Sequence, residues 1–155
     1  MTALVAFLQA VLPSGTPVIQ ANISNVAMPK GPFVSMTHVG TKRLSTNVDT
    51  PNGSLQQVAM LVPTQYTVQL DFYGPVSADW AHIVQAMFRD DAGSQLFPAT
   101  VVPLYADDPT QMTLVTGEET YLQRWKVDAV MQFNPVITTA QQSALALAIV
   151  LDDIA

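Results

Sequence analysis

The sequence predicts an α+β fold: a mostly antiparallel sheet with helices packed on one face and a long projecting hairpin. Three stretches support this. "QYTVQLDFYGP" (65–75) and "YLQRWKVDAVMQFNP" (121–135) alternate apolar and polar residues, the period of a strand. Each stops at a proline, which cannot donate to a ladder. Between them, Trp80, Ile83, Val84, Met87 and Phe88 recur at the spacing of one helix face. Helix, strands, helix, strands is the order expected of a sheet with its helices to one side. A length of 155 residues suits one domain, 1–155, large enough to bury its own core.

At the N-terminus, Leu4, Phe7, Leu8, Val11 and Leu12 predict an amphipathic helix, with Thr2 as its cap and Pro13 and Gly15 ending it. Gln9 interrupts the apolar run and no positive charge precedes it, so a helix is expected here and not a signal peptide. No stretch approaches the ~18 apolar residues of a membrane span. Residues 16–29 carry Val18, Ile19, Ile23 and Val26 in an imperfect order that predicts an extended segment. In 31–44, Val34, Met36, His38 and Gly40 alternate with Phe33, Ser35, Thr37 and Val39, a strand with apolar groups on both faces. Residues 45–57 gather Asp49, Pro51, Asn52 and Gly53, all bend formers, between two strand-like stretches. That is the projecting hairpin.

In the next strand Tyr66, Val68, Leu70 and Phe72 share a face. Gly74-Pro75 ends it, Ser77 is expected to cap the following helix, and Gly93 to close it in the left-handed conformation. "FPATVVPLYADDPTQM" (97–112) predicts a short extended run and an acidic turn. The longest strand then places Tyr121, Gln123, Trp125, Val127, Ala129, Met131 and Phe133 on one face. The tail, 138–154, predicts a short helical turn and then a strand, although its Ala and Leu suit a helix as well.

Composition narrows function. Only 12% of residues are charged while 49% are hydrophobic, against roughly 25% charged in ordinary soluble domains. Either Thr, Gln, Ser and Asn cover the surface, or partners do. The net charge is −6, and Lys30, Lys42, Arg43, Arg89, Arg124 and Lys126 are scattered, which excludes a tight grip on nucleic acid through its phosphates. Cysteine is absent, which excludes disulfides, thiolate metal sites and cysteine nucleophiles.

No residues assemble a catalytic pattern. Asp107 and Asp108, in "YADDP", are the sharpest cluster, but adjacent side chains of an extended segment diverge and a divalent cation needs more oxygens. An acidic turn before Pro109 is the better account, and Glu118-Glu119 and Asp152-Asp153 are solvated or interfacial acids of the same kind. His38 and His82 have no companion at metal-ligand spacing, and no nucleophile elbow or phosphate-binding glycine loop is present. Asp71 and Asp128 are expected to pair with Arg124 or Lys126 across the sheet. The expectation is a protein that is not an enzyme and needs no cofactor or metal. A small Mg2+-dependent hydrolase using Asp107, Asp108 and Glu118 or Glu119, or a monomeric binding module, are the rivals.

Taken together, "GTPVI" (15–19), "PKGPFVSMT" (29–37), "RLSTNVDT" (43–50), "DFYGPVSADWAHIVQAMFRD" (71–90), "PLYADDPTQM" (103–112) and "RWKVDAVMQFNPVIT" (124–138) resemble the neck or tail terminators of tailed bacteriophages. The resemblance covers nearly the whole chain and brings no catalytic motif. It implies a virion protein assembled in the host cytoplasm, in a homohexameric ring on the last ring of the tail tube. Such a ring stops tube polymerisation, and that of the sheath where the tail contracts. It then receives the neck connector and leaves a channel through which DNA passes without sequence-specific binding. Another connector or head-completion protein is the alternative within that class. Under this resemblance Asn47, Val48, Asp49, Thr50 and Leu55 of the hairpin, with Asp107 and Asp108, are the expected subunit-interface residues. The acidic balance is expected to keep the channel from holding DNA.

Overall fold

The computed structural model describes residues 1–21, 28–115 and 121–141. In chain order its elements are α1 (Thr2–Val11), β1 (Val18–Gln20), β2 (Phe33–Arg43), β3 (Val48–Asn52), β4 (Gln57–Leu61), β5 (Thr64–Tyr73), α2 (Ser77–Arg89), α3 (Asp91–Ser94), β6 (Val101–Ala106), β7 (Thr110–Val115), β8 (Tyr121–Phe133) and β9 (Val136–Ala140). The larger sheet runs β1-β2-β5-β8, with β6 and β7 sharing the far edge of β8. Every pairing in it is antiparallel except β1 with β2. The expected α+β architecture is the observed one.

The core lies on one face of this sheet. Alternation sends Val34 and Met36, Val68, Leu70 and Phe72, and Val127, Ala129 and Met131 to that face, where all are buried. The helices close it with Leu4, Phe7 and Leu8 from α1 and Trp80, Val84 and Phe88 from α2. Phe7 stacks on Phe97 (centroids 4.9 Å apart) and meets Phe88 edge-on at 5.5 Å. Full burial of each such side chain stabilises the fold by about 1.5–3 kcal/mol.

Local details depart from the sequence expectations. Thr2 is already helical and Met1 occupies the cap position without a side-chain bond. Ser77 likewise begins α2 and does not cap it: the turn at Gly74 (φ +104) brings the Gly74 carbonyl to Ser77 N–H at 3.1 Å, and Trp80 N–H bonds Val76 O. Ser77 Oγ is left buried without a partner. Ile83 is 43% exposed, because the buried face of α2 centres between Trp80 and Ala81, about a third of a turn from it. Gly93 does not adopt a left-handed conformation and lies inside α3. Its role is space, since a Cβ there would fall 1.7 Å from Met87 O.

The hairpin is also larger than expected. Asp49 and Pro51 lie in β3, and the bend is confined to residues 53–56, where Gln56 adopts φ +50. β9 joins as a third strand, in the order β3-β4-β9. The expected helical turn from 138 is thus strand through Ala140, and the remainder of that tail lies outside the described residues, as do Ile23 and Val26. The three strands prolong β2, β5 and β8 across breaks at 44–47, Val62–Pro63 and Asn134–Pro135. Leu44 N–H to Pro63 O and Val62 N–H to Pro135 O, each 2.9 Å, stitch the breaks together. The result is an arm.

Candidate functional site

Small sheets of this kind are marginal unless something covers a face, and the arm carries apolar groups on both. One face shows the row Val48, Leu61 and Val136, and the other Met60 and Ile137 beside Asp49. Val48 is 57% exposed, Val136 59%, Ile137 50%, and Leu55 at the tip 63%. Among the described residues no helix packs on it to any extent. Asp49 is its only charged side chain, so water gains little from either surface. A sheet with one charged side chain, apolar rows on both sides and, among the described residues, no helix against it is a surface suited to a partner.

Its outer edge is guarded. Val62 and Gln141 donate to Pro135 O and Gln56 O, so Val58 and Met60 bond toward β9 while Ala59 and Leu61 bond toward β3. Pro51 faces Val58, which puts its missing N–H on the outside of β3, where it discourages another strand from pairing.

Asn47, Val48, Asp49, Thr50 and Leu55 all lie along the arm, from its base at Asn47 to its tip at Leu55. Asn47 Oδ1 accepts from the Arg43 guanidinium at the arm's base, β3 is exposed throughout, and Leu55 N–H bonds Asn52 Oδ1 at 3.2 Å. Asp107 and Asp108 stand elsewhere, exposed between β6 and β7 at the opposite edge of the larger sheet. Val136 and Ile137 escaped the sequence reading. Their signal was the short "VITT" run directly after the proline of "FNP".

The acids form no metal centre among the described residues. Asp108 Oδ1 accepts from Gln85 Nε2 at 3.0 Å, and Asp107 N–H bonds Asp128 O. Glu118, Glu119, Asp152 and Asp153 lie outside the described residues. His38 stacks on Tyr66 at 4.2 Å and bonds Thr41 Oγ1, and His82 lies 5.7 Å from the Trp125 ring, both structural settings. A hollow of about 460 Å³ beside the start of α1 is lined by Met1, Leu4, Tyr66, Val101, Met131 and Phe133, with no carboxylate or histidine side chain among its walls.

The sheet face opposite the core carries one of the expected cross-strand ion pairs and one that runs within β8 instead. Arg124 holds Asp71 at 2.9 Å across the strands, and Lys126 holds Asp128 at 2.8 Å along one strand. Tyr73, stacked on Phe33 at 4.4 Å, has its phenol pKa raised by burial first and by the Asp71 charge second.

A family model described as a phage neck terminator protein matches residues 1–153. No curated protein matches the sequence. Among solved structures, the fold is similar to the sheath/tube terminator of an extracellular contractile injection system, PVC, in its extended state, at a TM-score of 0.52 and 11% identity. That similarity spans 99% of this chain and 62% of the other, so this chain matches somewhat under two thirds of that protein's length.

Proposed function

The chain belongs to the phage neck terminator family, and from that premise we propose that it closes the head-proximal end of the tail as a homohexameric ring. The ring sits on the last ring of the tube protein, ends its polymerisation and that of the sheath where one exists, and presents its other side to the neck connector. DNA passes through its centre without being read. Assembly takes place in the host cytoplasm, and the finished protein is part of the virion.

The observation that supports this best is the arm. Among the described residues no helix lies on Val48, Leu55, Val136 or Ile137, whereas a subunit in a ring has a neighbour to cover them. Rings also need a heterologous contact, in which two different patches of one chain meet, and a projecting arm supplies the first of them. The similarity in fold to a sheath/tube terminator agrees with this.

The test is genetic and structural together. A phage lacking this chain should yield tubes of unregulated length that fail to join heads, and a virion map should place the chain at the tube's upper end. Tubes of normal length, or density on the portal side of the connector, would contradict the proposal.

A further inference from the structure

Among the described residues, exposed charge is uneven across the larger sheet: cations gather on the β2 side, where Asp49 of β3 is the acid, and acids gather on the β6–β7 side. Lys42 and Arg43 are exposed near the end of β2, and Lys30 is exposed in the chain leading into that strand. The other cations are engaged inside the subunit: Arg89 donates to Ala106 O, Arg124 pairs with Asp71, and Lys126 with Asp128. Across the sheet, Asp107 and Asp108 are exposed between β6 and β7. Asp90 and Asp91 are exposed at the end of α2, a helix that packs on β6 and β8 and is tied to Ala106 by Arg89.

Among the described residues the cationic edge carries no further strand beyond β1. β1 pairs only with Val34–Met36, so no described strand lies beside β2 from Thr37 to Arg43. Lys42 and Arg43, consecutive on β2, are both exposed, one on each face of the strand.

We infer that these two edges meet between neighbouring copies of this chain, the Lys42–Arg43 edge of one subunit docking on the Asp107–Asp108 edge of the next. The inference rests on the ring proposed above. A cyclic ring joins unlike patches on opposite sides of the subunit, and here the two patches, Lys42–Arg43 and Asp107–Asp108, carry opposite charge, with Asp49 offsetting part of the first. Opposed charges attract across such a contact and set its polarity, because turning one subunit over brings like charges together. Lys42 is level with Gln65, Gln132 and Val102, while Asp107 is level with Asp128 and Gln69. The two patches are therefore offset along the strands, and the strands run obliquely to the plane of the ring.

The experiment exchanges the charges. Lys42→Glu/Arg43→Glu makes both edges acidic, and Asp107→Lys/Asp108→Lys makes both basic. Each variant alone should associate at least about tenfold more weakly than the native chain, a difference of about 1.4 kcal/mol. An equal mixture should restore rings in which the two variants alternate, visible by native mass as equal numbers of each. Because Arg43 also anchors Asn47 and Asp108 holds Gln85, the single changes Lys42→Glu and Asp107→Lys serve as a second pair, with circular dichroism confirming the fold. Rings formed by either variant alone, or a folded mixture that forms none, would overturn the edge contact while leaving the ring intact. A native chain that forms no ring, free or on tube ends, would overturn the ring and the contact with it.

Discussion

Arg124 reaches diagonally from β8 to β5 and binds one oxygen of Asp71 twice, Nη2 at 2.9 Å and Nε at 3.0 Å. Directly opposite, Asp71 faces Lys126, yet Lys126 turns along its own strand to Asp128. Gln69 donates to the second Asp71 oxygen at 2.8 Å, so a carboxylate in a residue only 3% exposed has both oxygens satisfied. Arg124→Met strands that charge. It should cost about 3 kcal/mol and lower the melting temperature by roughly 6–12 °C. Asp71→Leu/Arg124→Met should lose less than Arg124→Met alone, as measured by denaturant unfolding.

Tyr73 adds a pH dependence. Its folded pKa lies above a tyrosine's ordinary 10.0 because burial, then Asp71, disfavours the phenolate. The neutral phenol's contribution is therefore complete below the unfolded pKa and is lost as pH rises through the folded one. Melting temperature should fall on the alkaline side of pH 10, and Tyr73→Phe should remove that part of the slope. An identical alkaline limb in the phenylalanine variant would contradict the assignment.

Gly93→Ala tests the close approach at the α2–α3 junction. A Cβ 1.7 Å from Met87 O and 2.7 Å from its carbonyl carbon cannot be accommodated without moving backbone. The variant should lose about 3 kcal/mol or more, or fail to accumulate as soluble protein. A glycine kept for left-handed backbone elsewhere, such as Gly15 at φ +84 with open space around it, should give a smaller loss of about 1 kcal/mol on the same change.

The arm separates assembly from stability. Leu55→Asp and Ile137→Lys alter side chains that are 63% and 50% exposed in the subunit, so each should shift unfolding by no more than about 0.5 kcal/mol. Both should abolish ring formation, read by native mass and electron microscopy. Strong destabilisation of the isolated subunit would mean that the arm packs on its own body.

How much of this could be read from sequence depended on where the information sits. Strict alternation in 65–73 and 121–133 located the two central strands, and their charged face foretold the Asp71–Arg124 pair. β9 was obscured because five residues, "VITTA", are too short to show a period, and the partner that makes them a strand, β4, lies far off in sequence. Pro51 read as a bend because its strand role depends on which side of β3 faces outward, a property of pairing and not of composition. Gly93 read as a cap because the neighbour that demands it, Met87 O, is set by how α3 folds back on α2. Hairpin candidates Asn47 to Thr50 and Leu55 lie along the arm, from its base to its tip. The uneven spread of exposed cations and acids across the larger sheet depends on strand order, which local patterns do not encode.

Electron microscopy of the purified chain at high concentration and on isolated tube ends, with mass measured in parallel, tests the central claim most directly. The account predicts rings with a central opening, at a mass near six subunits, with the arm of each subunit laid on its neighbour. A chain that stays monomeric in solution and leaves tube ends bare would contradict it.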